Sequence, residues 1–203
     1  MRRPKPHTVA LACHPATSTT AVRGLTASAR IGGAGKLAVT FTLDADMSRV
    51  VLPRLRTPAR ADELWRHTCF EVFVALPDAE AYCELNFSPS GEWAMYGFVG
   101  YRRGMTPIEV RRAPRIAVRP TPRGLVLEAV TYLEELPMPQ PGLPLRAGAA
   151  AVIEETDGRL SYWALAHPAA RPDFHHRLGF VLQVGMTSQG VTDLLHDAVG
   201  PTA

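Results

Sequence analysis

Two glutamates and an asparagine, Glu71, Glu84 and Asn86, fall in a stretch from Leu64 to Met105 that also holds two of the three tryptophans, two of the three cysteines and three of the five tyrosines. Aromatic side chains bury large areas and are recruited chiefly for cores. Carboxylates are not, so their company raises a chemical question. Planar carboxylate and amide groups pair with neighbouring hydroxyls, and an indole offers a flat apolar face. Together they suit a sugar ring, with Trp65 and Trp93 as stacking candidates and Glu71, Glu84 and Asn86 as hydrogen-bonding ones. Tyr101, Arg102 and His176 are candidates for the rim, and Arg102 is available for an anionic sugar. Two carboxylates roughly 5–9 Å apart are also what a glycosidase needs. The plain alternative is a set of polar residues facing water from the outer side of an antiparallel sheet.

Which of these holds depends on the strands that carry the residues. In "CFEVFVAL" Phe70, Val72, Val74 and Leu76 share one face and Cys69, Glu71, Phe73 and Ala75 the other, the period of two that marks a strand. In "YCELNFSP" Cys83, Leu85 and Phe87 form the apolar face, opposite Tyr82, Glu84, Asn86 and Ser88. If the short "PDAEA" link makes these strands neighbours, Glu71 joins Glu84 and Asn86 on one sheet face. "KLAVTFTLDA" alternates in the same way, and further strands are expected at "EWAMYGFVGY", "IAVRP", "GLVLEAVTYL", "AGAAAVIEE", "LSYWAL" and "LGFVLQVG". Ser88-Pro89-Ser90-Gly91 and Asp157-Gly158 are turn signals. "IGGAGK" lacks the spacing and terminal Ser or Thr of a phosphate-binding loop and reads as a hairpin turn. Only "ADELWRH" and "VTDLLHDAV" look helical, and the prolines from Pro137 to Pro144 mark an extended loop. About ten short alternating strands imply an all-β fold, an antiparallel two-sheet β-sandwich of immunoglobulin-like or jelly-roll type with a few short helical turns.

A length of 203 residues suits one domain, and 46% hydrophobic with 20% charged residues is an ordinary globular balance. The net charge is only +3, and Lys5 and Lys36 are the sole lysines. Such a balance lacks the basic stripe that neutralises a phosphate backbone, so no nucleic-acid partner is expected. The run from Arg111 to Arg123 reads as a solvated loop leading into a strand. Three cysteines without a C-x-x-C pair exclude a disulfide framework and a structural zinc site and fit a reducing, cytoplasmic compartment. Cys69 and Cys83 read as small core residues. The apolar run at the N-terminus is shorter than a secretory signal requires, and none approaches the ~20 residues of a membrane span. Ser90 lacks the G-x-S-x-G setting of a nucleophile. His167, Asp173, His175 and His176 lie close in sequence, but Pro168 and Pro172 suggest a structured loop rather than a metal site.

The segments "LWRHTCFEVFVA", "YCELNFSPSGEWAMYGFVGYRRGM" and "YWALAHPAARPDFHHRLGFVLQ" resemble the bacterial DOMON-like proteins, relatives of the DOMON and family nine carbohydrate-binding modules. The resemblance runs from about Val9 to Gly185 and leaves residues 186–203 as a tail. It implies a single immunoglobulin-like sandwich whose relatives bind sugars or haem. In the sugar-binding relatives a tryptophan precedes a strand with a glutamate, and a later strand presents an asparagine two positions after a charged residue. The matching positions here are Trp65, Glu71, Glu84 and Asn86; that charged residue is commonly arginine, and Glu84 departs from it. A second tryptophan completes the relatives' site, whereas this chain has Phe174, His175 and His176 there, with Trp163 further back. Haem-binding relatives use methionine and histidine, for which Met95, Met105, His67, His167, His175 and His176 are the candidates. The expectation is a non-catalytic module with no cofactor and no membrane partner that binds a carbohydrate or sugar derivative. A haem module, a glycosidase using paired glutamates and a protein-interaction domain are the alternatives.

Overall fold

The computed structural model describes residues 8–137 and 144–184 and the backbone of Leu195–His196. One layer runs, in spatial order, through β1 (Val9–Cys13), β2 (Val22–Gly32), β3 (Lys36–Ala45), β9 (Gly124–Tyr132) and β8 (Arg115–Thr121), every pair antiparallel. The other runs from β7 (Thr106–Pro107) through β6 (Trp93–Phe98), β5 (Tyr82–Phe87), β4 (Cys69–Ala75) and β10 (Leu145–Glu154) to β11 (Leu160–Ala164). β1 joins the layers: Val9–Leu11 pair with β2, and Ala12 and Cys13 pair with β11. Beside the start of β10 lies β12 (Leu182–Val184), which β13 (Leu195–His196) extends. The expected antiparallel sandwich is the fold observed.

The layers bury different amounts of themselves. Along β3, Leu37, Val39, Phe41 and Leu43 are buried, while Thr40 and Thr42 face outward, as expected of a sheet with one solvated side. Their partners across the sandwich include Phe70, and the rings of Phe41 and Phe70 meet at 5.1 Å. β4 and β5, by contrast, are buried at every position. Their inner faces, Phe70, Val72, Val74, Cys83, Leu85 and Phe87, belong to the core between the layers. Their outer faces therefore need a cover of their own, which is the feature that makes a site.

Turns form where their residues permit. Gly158 closes the β10–β11 hairpin at φ 83°, a left-handed conformation that glycine adopts without strain. Since a Cβ there would meet nothing within 4 Å, Gly158→Ala should cost only about 1 kcal/mol, all of it backbone strain. Equilibrium denaturation would measure it.

Some expectations change. Around Ala61–His67 the chain makes a single 3-10 turn, Leu64–Arg66, entered through Glu63 at φ 60°. The helix expected over Val191–Val199 lies outside the described residues apart from β13. Most of the proline-rich loop lies outside them too. β1 and β2 are additional to the expected strands. Arg111 and Arg112 are not simply solvated: the Arg111 amide donates to Glu135 Oε2 at 2.8 Å and the Arg112 guanidinium to Oε1 at 3.4 Å. Cys69 and Cys83 are buried free thiols. Among the described residues no helix is long and apolar enough to cross a membrane.

Candidate functional site

The outer face of the second layer is set by register. Glu71 stands opposite Asn86 on one side and Ala150 on the other, and Glu84 stands between Phe73 and Tyr96. Glu71 and Glu84 are thus diagonal neighbours on adjacent strands, close enough for long side chains to interact. This face is no solvated surface. Phe73, Tyr82, Tyr96, Phe98 and Phe180 build a second apolar cluster on it, and Leu64, Trp65 and Phe174 pack over that cluster. In consequence Glu71 and Glu84 keep only 3% and 4% of their exposure, and Asn86 keeps none. The plain alternative of polar residues facing water is overturned for all three.

Buried carboxylates must be paired or neutral. Glu84 Oε1 accepts a hydrogen bond from Asn86 Nδ2 at 2.7 Å. Glu71 Oε1 has no hydrogen-bond partner among the described residues. Burial, and then repulsion from Glu84, push the Glu71 carboxyl well above its ordinary range, with Arg102 pulling weakly the other way. Burial also raises Glu84, against the Asn86 hydrogen bond and Arg102.

Two loops close over this pair. In the turn after β6, Arg102 takes the left-handed region at φ 53°, a strained conformation held by its surroundings. Its N–H donates to the Tyr82 hydroxyl at 3.2 Å, and its guanidinium donates to Asp173 Oδ1 at 2.9 Å. Tyr101 donates to the other Asp173 oxygen at 2.6 Å. Burial pushes Asp173 upward, but the hydrogen bonds from Tyr101 and Arg102 outweigh it and hold the carboxyl below its usual range. From the same segment His175 reaches inward, with Nδ1 2.8 Å from the Tyr82 hydroxyl and Nε2 3.7 Å from Glu84 Oε2. Burial, followed by the charge of Arg102, drives His175 down to about 4, so at neutral pH the short approach to Glu84 is not an ion pair.

Between the loops and the sheet lies a cleft of about 310 Å³. Trp65 forms part of its wall, its ring edge against Tyr96 at 5.6 Å. Phe174 and Tyr162, 5.9 Å apart, form another part, and Glu71, Glu84, Arg102, Met105 and His175 also line it. Of the residues expected from sequence, Trp65, Glu71, Glu84 and Arg102 come together here. Asn86 reaches the cleft only through Glu84. Tyr101 stands at the edge and binds Asp173. His176 does not line the cleft: its ring accepts from the Leu178 amide at 3.3 Å, capping the turn Arg177–Gly179. Trp93 is a correction. It is paired in register with Phe87 and points into the core between the layers, where it is 6% exposed. Trp163 is likewise on the core side. Phe98 of β6, Val152 of β10 and Tyr162 of β11 line the cleft as well and are not among the residues the sequence singles out.

Of the methionines and histidines considered for haem, Met105 and His175 line the cleft and Met95 is buried in the core. His67 pairs with Glu154 at 2.8 Å and His167 with the Ala12 carbonyl at 2.8 Å. Among the described residues no group of three or more His, Cys, Asp and Glu is placed to hold a metal ion.

No protein-family model and no curated protein matches the chain. Solved structures do. A Bacteroides uniformis protein inferred to bind carbohydrate superposes with a TM-score of 0.68 at 11% identity, over 89% of this chain and 86% of its own. A family nine carbohydrate-binding module from Caldicellulosiruptor kristjanssonii in complex with cellotriose gives 0.50 at 14% identity, over 92% and 84%. A family nine module from the same organism in complex with glucose gives 0.48 at 12% identity, over 91% and 84%. At these identities the likeness concerns the fold alone, an antiparallel β-sandwich.

Proposed function

We propose that the cleft on the outer face of the second layer binds a carbohydrate, with the Trp65 indole as stacking surface and Glu71 and Glu84 as acceptors for ring hydroxyls. The observation that carries this reading is Glu71: a carboxylate 3% exposed, with one oxygen unpartnered among the described residues, lining a cleft beside a half-buried tryptophan. A buried acceptor left open costs stability, and a turn of the Glu71 carboxyl toward the cleft would let a ligand hydroxyl supply what it lacks. The volume lies at the small end of ligand pockets, which run roughly 300–1,000 Å³, and suits one sugar ring more than a long chain. A module of similar fold carries cellotriose in its solved complex, which supports a sugar as the ligand class.

Calorimetric titration with mono- and disaccharides tests the reading. Trp65→Ala should weaken the best of them at least about tenfold, a loss of ~1.4 kcal/mol, because only Trp65 among the three tryptophans lines the cleft. Unchanged affinity in that variant would remove the stacking role. A second reading rests on the raised Glu71, since a glycosidase acid is likewise a carboxyl held above its ordinary range. A binding module leaves aryl glycosides intact; turnover lost in both Glu71→Gln and Glu84→Gln would put hydrolysis in its place.

A further inference from the structure

We propose that the cleft selects sugars bearing a free ammonium group, that is, amino sugars without an acyl cap, over neutral rings; the proposal rests on the carbohydrate reading above and names the ligand class within it. The titratable groups facing the cleft are Glu71 from β4, Glu84 from β5, Arg102 from the turn after β6, Tyr162 from β11 and His175 from the segment before β12. Behind them stand Tyr82, Tyr96 and Asp173. Arg102 is the one cation among them, and Asp173 already holds its guanidinium at 2.9 Å. His175 is neutral at physiological pH. The tyrosines carry no charge there. Two carboxyl groups are left facing the same space with no cation of their own among the described residues, and one oxygen of Glu71 has no hydrogen-bond partner there.

An ammonium group fits that deficit in three ways. It is a compact positive charge with three donors and no acceptor, so every hydrogen it points at Glu71 and Glu84 is useful. It relieves the repulsion between the two carboxylates, which a hydroxyl does not. The faces of Trp65, Tyr162 and Phe174 attract a cation in a desolvated setting. An anionic sugar has the opposite fit, because it would meet two carboxylates and find Arg102 engaged by Asp173. That reverses the expectation drawn from Arg102 in the sequence.

In the empty cleft, burial and the neighbouring Glu84 favour the protonated form of Glu71. Binding then exchanges one cation for another: the ammonium enters, the Glu71 carboxyl releases its proton to solvent, and the carboxylate pairs with the ligand. Affinity for an amino sugar should therefore rise with pH through the Glu71 value and fall again once the amine loses its own proton. A neutral sugar gains nothing from that ionisation.

The test is calorimetry on the full chain with glucosamine, glucose and N-acetylglucosamine from pH 5 to pH 8, in two buffers of different ionisation heat. The expected result is glucosamine binding at least about tenfold tighter than the other two at pH 7, a preference that shrinks toward pH 5, and a buffer-dependent heat that reports the released proton. Glu71→Gln should collapse the preference. Should that variant fail to fold, the wild-type pH series and buffer heats decide alone. Glucose or N-acetylglucosamine binding as tightly as glucosamine overturns the ammonium preference and leaves the carbohydrate reading standing. Failure of all three sugars at millimolar concentration overturns both. Calcium chloride raising the melting temperature where glucosamine does not would assign the carboxylate pair to a metal ion and overturn the proposal.

Discussion

Gly124→Ala is expected to leave little or no native protein at 37 °C. Gly124 opens β9, paired with Asp44 of β3 on one side and Thr121 of β8 on the other, at φ 156°. A Cβ added there would lie 2.0 Å from the Leu43 carbonyl oxygen and 2.9 Å from its carbon. Both are backbone atoms in the middle of a sheet, so no side chain can swing aside. Relief requires β3 and β9 to part at the end where Ala45 N also donates to Arg123 O at 2.8 Å. A clash with fixed backbone belongs to the exceptional class of substitutions that cost more than about 4 kcal/mol, against a total stability of roughly 5–15 kcal/mol. Soluble yield and a circular dichroism melt would measure it. A variant melting within a few degrees of wild type would mean that the strands do not approach each other here as described. Gly158→Ala is the control, since both substitutions place alanine at a positive φ and only one meets neighbouring atoms.

The same contrast between faces explains what the sequence reveals. β3, β4, β5 and β9 are legible from period-two alternation, and so is the placement of Glu71, Glu84 and Asn86 on one side. β2 alternates as well, with Leu25, Ala27, Ala29 and Ile31 inward and Thr26, Ser28 and Arg30 outward, but two alanines leave its inward face only weakly apolar. Trp93 is harder to place. β6 is apolar on both faces, with Trp93 and Met95 inward and Ala94, Tyr96 and Phe98 outward, so alternation carries no sign. The information was present in the turn: Ser88–Gly91 returns the chain so that Trp93 pairs with Phe87, already assigned to the inner face. The cover over the carboxylates was not legible at all. Phe174 and His175 come from a segment some hundred residues downstream (~100 by sequence number) whose path depends on packing, not on local pattern. Without that cover, nothing distinguishes a buried carboxylate from a solvated one. Trp65 shows the converse: "ADELWRH" has helical periodicity, but a longer helix would compete with the packing of Leu64 and Trp65 on the sheet, and the chain stops after one turn.

Glu71→Gln should make the protein more stable at alkaline pH and change little at acid pH. In the unfolded chain the Glu71 carboxyl has its ordinary value of 4.5, and in the folded chain it is raised well above that. Between the two values the folded state binds more protons than the unfolded one, so unfolding free energy falls as pH rises. The stability is fully present below 4.5 and is lost as pH climbs through the raised value. Glutamine resembles the protonated acid in shape and charge at every pH. Wild type and variant should therefore coincide near pH 5 and separate above it, by about 1–3 kcal/mol at pH 9, the penalty typical of a buried polar group without a partner. For a chain of this size, 203 residues, that corresponds to a melting difference of roughly 2–4 °C per kcal/mol. Glu84 adds to the separation, since a neutral neighbour lets it ionise with less repulsion. The acid side of the profile has another source. His175 is lowered from 6.5 to about 4, so the unfolded chain takes up its proton first and stability falls as pH drops from 6.5 toward 4. That limb should persist unchanged in the Glu71 variant. Denaturant titrations of both proteins from pH 4 to pH 9 would separate the two contributions, and parallel curves across the whole range would show that Glu71 is no more burdened by its charge than a surface carboxylate. The alkaline limb and the proton released on binding an amino sugar are two measurements of one ionisation, so a pH dependence located by stability must reappear at the same place in affinity.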